Sequence, residues 1–440
     1  MKFIDFSPSR SPSLDQQRDA LRKGLGRAVQ WASAGCLADE PLLDACLKDQ
    51  RHDMQIDGSR AKWLWQMIEI LDAKDRFRVP ILHALYELAD ARSAYQLCGL
   101  GYHYANSRDE AFLARLYKIV EDRIFTDYPE LGESEILRLD GQKAFEFIAR
   151  LRGEELFQRD WDWYDGTFVN EAVKLLGESE VREHLRNSDD KALRRFRDLW
   201  DLDTQAREQP THPNLQERMQ SVSVEDILSE VRKEKPSIFS FRGWGMRAVD
   251  SDLETVLEQL WASSEPAETV CLLRIFSNRA LPIFDSRLIE LCQHTDELVR
   301  RWAFIALKEN SAPAIHQFAL SKLRGGGHQA IALLINNHEQ GDEQAILSAL
   351  ELPCDQDELH WMLFDVIKIL KNNPNPDAPQ LGVVAYASTP CGQCRMSAAQ
   401  WLHKHQVAPD WLTKECRFDS VEDTRAIVAS LERKSGDAKE

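Results

Sequence analysis

A chain of 440 residues, 43% of them hydrophobic, carries enough apolar surface for two or three ordinary domains or one long solenoid, and is no disordered polypeptide. Its 72 acidic against 55 basic residues give a formal charge of −17, so the mean field repels phosphates and favours basic or neutral partners. Nine cysteines, at 36, 46, 98, 271, 292, 354, 391, 394 and 416, form an odd set without framework spacing, which argues against an extracellular disulfide scaffold.

The opening "MKFIDFSPSRSPS" lacks the apolar core of a secretory signal, and no run of about 18 apolar residues follows, so a cytoplasmic protein without membrane contact is expected. Residues 1–12 read as a tail and 13–203 as a helical block. Within that block "SRAKWLWQMIEILDA" sets Leu64, Met67, Ile68 and Leu71 at i, i+3, i+4 and i+7, one apolar stripe. His52, His83 and His103 lie in similar segments and read as surface or core residues, not bases. Further along, "RDWDWYDG" places Trp161, Trp163 and Tyr164 among Asp160, Asp162 and Asp165. Aromatic area with carboxylate steering makes this a candidate contact for a basic partner protein. A loop whose rings pack inward while the aspartates stay solvated is the competing reading.

Residues 204–222 are polar, contain two prolines and lack an apolar stripe, so they read as a linker. From 223 to 371, helical patterns follow one another with connections short enough to force antiparallel neighbours. Leu253, Val256, Leu257, Leu260 and Trp261 line one such face. Ser223-x-x-Asp226, Ser251-x-x-Glu254 and, near the end of the chain, Ser420-x-x-Asp423 predict capped helix starts. "FSFRGWGMR", with two glycines around Trp244, reads as a tight turn leading into the next helix. "LRGGGHQA" has no Lys-Ser/Thr pair after its glycines and so no phosphate cradle, and no zincin, esterase or kinase signature is present.

"DELVRRWAFIAL" carries the pattern D-x-x-V-R-x-x-A-x-x-A-L through Asp296, Val299, Arg300, Ala303, Ala306 and Leu307, and it resembles the second helix of a HEAT repeat. Independently of that, Ala303 and Ala306 permit close helix approach, and Asp296 suits a positive helix start. In HEAT proteins the corresponding Asp and Arg pair between successive repeats, so the resemblance assigns Asp296 and Arg300 to structure. "SRLIELCQH", "PAIHQFALSKLRGG", "HQAIALLINNHEQG", "DEQAILSALEL" and "DELHWMLFDVIKIL" fit degenerate copies with a period of roughly 35 to 45 residues. The expected fold is all-α, an α-solenoid of antiparallel helix pairs.

A second linker, 372–380, precedes a helical cap at 381–434 and a tail at 435–440. In this cap "VVAYASTPCGQCRM" resembles the start of a thioredoxin or glutaredoxin, which implies a strand at "GVVAYA" and a redox pair at Cys391 and Cys394. The helical alternative makes "CGQCRMSAAQWLHKH", "PDWLTKEC" and "SVEDTRAIVASLERK" three helices, with the two thiols as i, i+3 neighbours. Zinc is a third reading, with Cys391, Cys394, Cys416 and either His403 or His405 as ligands.

The functional expectation is a protein-protein interaction module acting as scaffold, adaptor or inhibitor. An immunity or antitoxin-like protein that neutralises a basic partner is one form of it. No cofactor and no catalytic residue are assigned. The alternatives are a nucleic-acid-binding or DNA-repair protein, since HEAT-like alkylpurine DNA glycosylases cradle duplexes, and a thiol redox or zinc site at Cys391 and Cys394. The basic segments "RKGLGR" and "ALRRFRD" favour the first of these and the overall charge opposes it.

Overall fold

The computed structural model describes residues 5–53, 58–158, 166–208, 222–350, 355–373 and 379–437. Every regular element among them is a helix, all α except one 3₁₀ segment, and none is long and apolar enough to cross a membrane. The chain divides into two compact units. One comprises Ser7–Thr211, Cys391–Gln393 and Asp410–Glu440; the other comprises Met1–Phe6, His212–Pro390 and Cys394–Pro409.

The first unit begins with α1 (Leu14–Lys23), α2 (Arg27–Ser33), α3 (Asp39–Leu47), α4 (Ala61–Ile70), α5 (Lys74–Tyr86) and α6 (Ala91–Asn106). It continues with α7 (Glu110–Asp122), α8 (Glu133–Asp140), α9 (Gln142–Gln158), α10 (Thr167–Leu176), α11 (Glu178–Arg186) and α12 (Lys191–Glu208). Ser13 and Gln16 close a capping box at the start of α1, and Gly24, at φ +76°, ends it. The last carbonyls of a helix have no partner within it. Here buried side chains from later in the chain supply one: Arg60 donates to Leu21, Arg22 and Lys23, Gln96 to Ala45 and Cys46, and Arg115 to Leu85. Helix α12 runs on to Glu208, past the expected boundary at 203, because the stretch 204–208 is polar but holds no helix breaker before Pro210; residues 209–221 of the expected linker lie outside the described residues.

The second unit contains α13 (Val224–Val231), α14 (Ile238–Gly245), α15 (Asp250–Ala262), α16 (Pro266–Ile275), α17 (Arg287–Leu291) and α18 (Glu297–Leu307). There follow α19 (Pro313–Arg324), the 3₁₀ helix (His328–Ile335), α20 (Glu343–Ala349), α21 (Gln356–Asn372), α22 (Pro379–Ser388) and, from Cys394 onward, α23 (Gly392–Lys404). Successive layers are stitched by asparagines. Asn310, just past α18, accepts from Leu281 N–H at 2.9 Å and donates to Ala306 O at 2.8 Å. Asn337, past the 3₁₀ helix, accepts from Ala312 N–H at 2.8 Å and donates to Asn310 O and Leu333 O. Asn373, past α21, donates to Ile335 O and Ile369 O. Each side chain therefore ties its own last turn to the layer before it.

Several local expectations change. "FSFRGWG" is helix α14, not a turn, and a Cβ on Gly245 would overlap the Ile275 carbonyl, so the glycine serves close approach to α16. Ser223 forms its capping box with Asp226, whereas Ser251 falls inside the first turn of α15, whose cap position is Val249. "HQAIALLI" winds as 3₁₀, and the suspected strand "GVVAYA" belongs to α22. Seven of the ten α22 residues are buried, Leu381, Gly382, Val384, Ala385, Tyr386, Ala387 and Ser388, so the helix is covered nearly all round and shows no helical stripe.

The C-terminal helices, α24 (Asp410–Cys416) and α25 (Glu422–Asp437), do not complete a single cap over 381–434. They belong to the first unit. Glu415, fully buried, pairs with Arg27 at 2.7 Å, Trp63 Nε1 donates to Phe418 O at 2.8 Å, and Ser420 N–H donates to Gly24 O at 3.0 Å. Ser420 is thus packed against Gly24 and caps nothing. Asp419 accepts from Val421 N–H at the start of α25 instead.

Candidate functional site

Side chains with ligating chemistry converge at His360, Cys391 and Cys394. One donor atom from each lies within 4.8 Å of the others. His360 and Cys394 belong to the same unit, and Cys391 stands one helical turn before Cys394, so the end of α22 and the start of α23 place both thiols together.

The packing explains the convergence. Asp355 accepts from Asp357 N–H and Glu358 N–H and fixes the start of α21, putting His360 in its second turn. Helix α22 packs along α21. Gly382 lets α22 approach α23, because a Cβ there would meet Leu402 and Trp401. Lys371 Nζ donates to Ser397 Oγ at 3.2 Å, which holds α23 to α21 directly. Cys391 is 1% and Cys394 5% exposed; His360 is half-covered, with Nδ1 shut off from solvent. Its ring lies edge-on to Trp361 with centroids 5.0 Å apart and stacks on Phe364 at 6.1 Å. An imidazole and two thiols so arranged suit a soft or borderline metal ion, or thiol chemistry.

The other residues named from sequence stand elsewhere. His403 is half-buried, with burial pushing its pKa down, and the His405 ring lies 4.7 Å from Trp401; neither belongs to the convergent group, nor does Cys416, buried on α24. Asp160 to Asp165 lie outside the described residues. Asp296 caps its own helix, accepting from Leu298 N–H and Val299 N–H, and Arg300 donates to His294 O and Thr295 O. Both therefore act within their own layer, while Val299, Ala303, Ala306 and Leu307 are fully buried beneath them. Burial raises the thiol pKa of Cys46, Cys98, Cys271 and Cys292, the last to about 12, so these four pack as small apolar groups. His83 is exposed beside Glu87, and His103 stacks on Trp65 with its pKa lowered by burial.

Two grooves of about 550 Å³ differ in sign. One in the first unit is lined by Glu146, Glu180, Glu183 and His184; one in the second by Arg301, Lys322, Phe304 and Phe318, with Glu297 opposing. His360 carries no local signature, since a lone histidine on an amphipathic helix is the commonest kind; its approach to the cysteines follows from helix packing alone. The chain matches no protein-family model, no curated protein and no solved structure, and therefore takes no family from them.

Proposed function

We propose that this chain is a HEAT-like helical repeat protein whose surface binds another protein of basic or neutral charge. The observation that carries the reading is Trp361. This indole is 62% exposed in the second turn of α21, next to a first turn bearing exposed Asp355, Asp357 and Glu358. A large exposed aromatic beside carboxylates supplies both the apolar anchor and the steering field of a protein contact. The asparagine-linked layers support it from beneath, since helices held in fixed register present a stiff surface at low entropic cost. The charge of −17 argues in the same direction.

The test is affinity capture on the full-length protein at low and high salt, with a Trp361→Ala variant alongside. A stoichiometric partner, weakened by high salt and by roughly tenfold or more in the variant, is expected for an aromatic anchor. The reading fails if the variant retains its partner unchanged, or if no protein is held under either condition. Tight, salt-steep binding of DNA or RNA in a parallel titration would transfer the function to nucleic acid and to the basic groove.

A further inference from the structure

We propose that His360, Cys391 and Cys394 bind one zinc ion. The geometry is close to what the ion requires. Zn–S bonds of about 2.3 Å and a Zn–N bond of about 2.0 Å place tetrahedral ligand atoms about 3.5–3.8 Å apart. Donor atoms already within 4.8 Å of one another reach that spacing by small side-chain rotations, without moving a helix. The donor set is soft to borderline, as zinc prefers and magnesium or calcium do not. Two thiolates and a neutral imidazole balance a divalent cation, so the buried centre carries no net charge to desolvate.

Convergence of the imidazole separates this from a dithiol switch. A disulfide uses the two sulfurs alone and gives His360, brought in from α21, no part. As a ligand, His360 completes a three-point site and cross-links α21 to α23. On binding, each thiol releases one proton to solvent, both thiolates and the imidazole donate lone pairs to zinc, and no electrons are exchanged. Water takes the fourth tetrahedral position, as in other zinc sites with three protein ligands.

The test uses full-length protein, reduced, stripped with chelator and reloaded with zinc or cobalt alone. About one equivalent of zinc by elemental analysis is expected. Cobalt should show tetrahedral d–d bands and a thiolate charge-transfer band of two-sulfur intensity. Cys391→Ser and Cys394→Ser should each lower that intensity, and His360→Ala should weaken zinc by about tenfold or more while keeping both sulfurs. His403→Ala should change nothing. Circular dichroism on each variant, with a chelator competition on the wild type, separates lost ligands from lost folding. Failure of reduced wild-type protein to take up either metal overturns the proposal, as does a disulfide between Cys391 and Cys394 with no metal uptake on reduction. Binding that survives all three ligand substitutions also overturns it, since the metal then sits elsewhere. None of these readouts depends on a protein partner, so the site and the interaction role stand or fall separately.

Discussion

Asp365, on α21, shows how one titratable group inside a helical layer sets a pH dependence. Burial pushes its carboxyl up to about 6, only partly offset by Lys308 and Lys368. The folded chain therefore holds this proton more tightly than the unfolded chain, whose value is near 3.8. Its contribution to stability is complete below about pH 4 and is lost as pH rises through 6, to a total of roughly 2–3 kcal/mol. Asp365→Asn removes that penalty: the variant should be more stable than the wild type at pH 7 by about that amount, and nearly equal to it at pH 4. Urea unfolding at the two pH values measures the difference, and a difference that does not change with pH would refute the assignment. Nothing in the sequence marked this residue, because "WMLFDVIKIL" shows an aspartate in a stripe without showing which neighbours enclose it.

At the scale of elements, asparagine rungs tie successive helices of the second unit together. Asn310 and Asn337 are 27 residues apart, and the parallel contact of Asn372 with Asn336 spans 36. Both fit layers of unequal length stacked in common register. Each rung ends a stretch of the form Leu-x-Glu/Asn-Asn, at 307–310, 334–337 and 370–373, a pattern present in the sequence but hidden by its uneven spacing. Asn310→Ala strands the buried Leu281 N–H and removes one of the bonds to the Ala306 carbonyl, which keeps the Glu309 N–H, so a loss of about 1–3 kcal/mol is expected in urea unfolding of this unit. A loss below about 0.5 kcal/mol would mean the rung is dispensable. The amphipathic helices were legible from their periods, α4 and α15 above all, because each has one dry face. Helix α22 was not, because it is buried nearly all round and shows no stripe, and "HQAIALLI" was legible as a helix but not as a 3₁₀ one, whose turn is tighter than 3.6 residues.

For the whole molecule, the sequence order misleads about which segments fold together. Residues 410–440 follow the layers of the second unit in the chain yet complete the first, through Glu415 with Arg27, Phe418 with Trp63 and Ser420 with Gly24. Deleting them should loosen α1, α2 and α4. Loss of a buried ion pair, the Trp63 indole bond and one backbone bond, worth about 3–5 kcal/mol, should speed amide exchange there by at least a hundredfold. Unchanged protection in those helices would show that the C-terminal segment is dispensable. By itself the sequence determined that the chain is helical and acidic, because period and charge are local properties of the residues themselves. Only the tertiary structure decided which helices share a unit, where the buried asparagines join layers, and that His360 is the histidine beside Cys391 and Cys394. Those facts depend on contacts between residues far apart in the chain, and no local pattern encodes them.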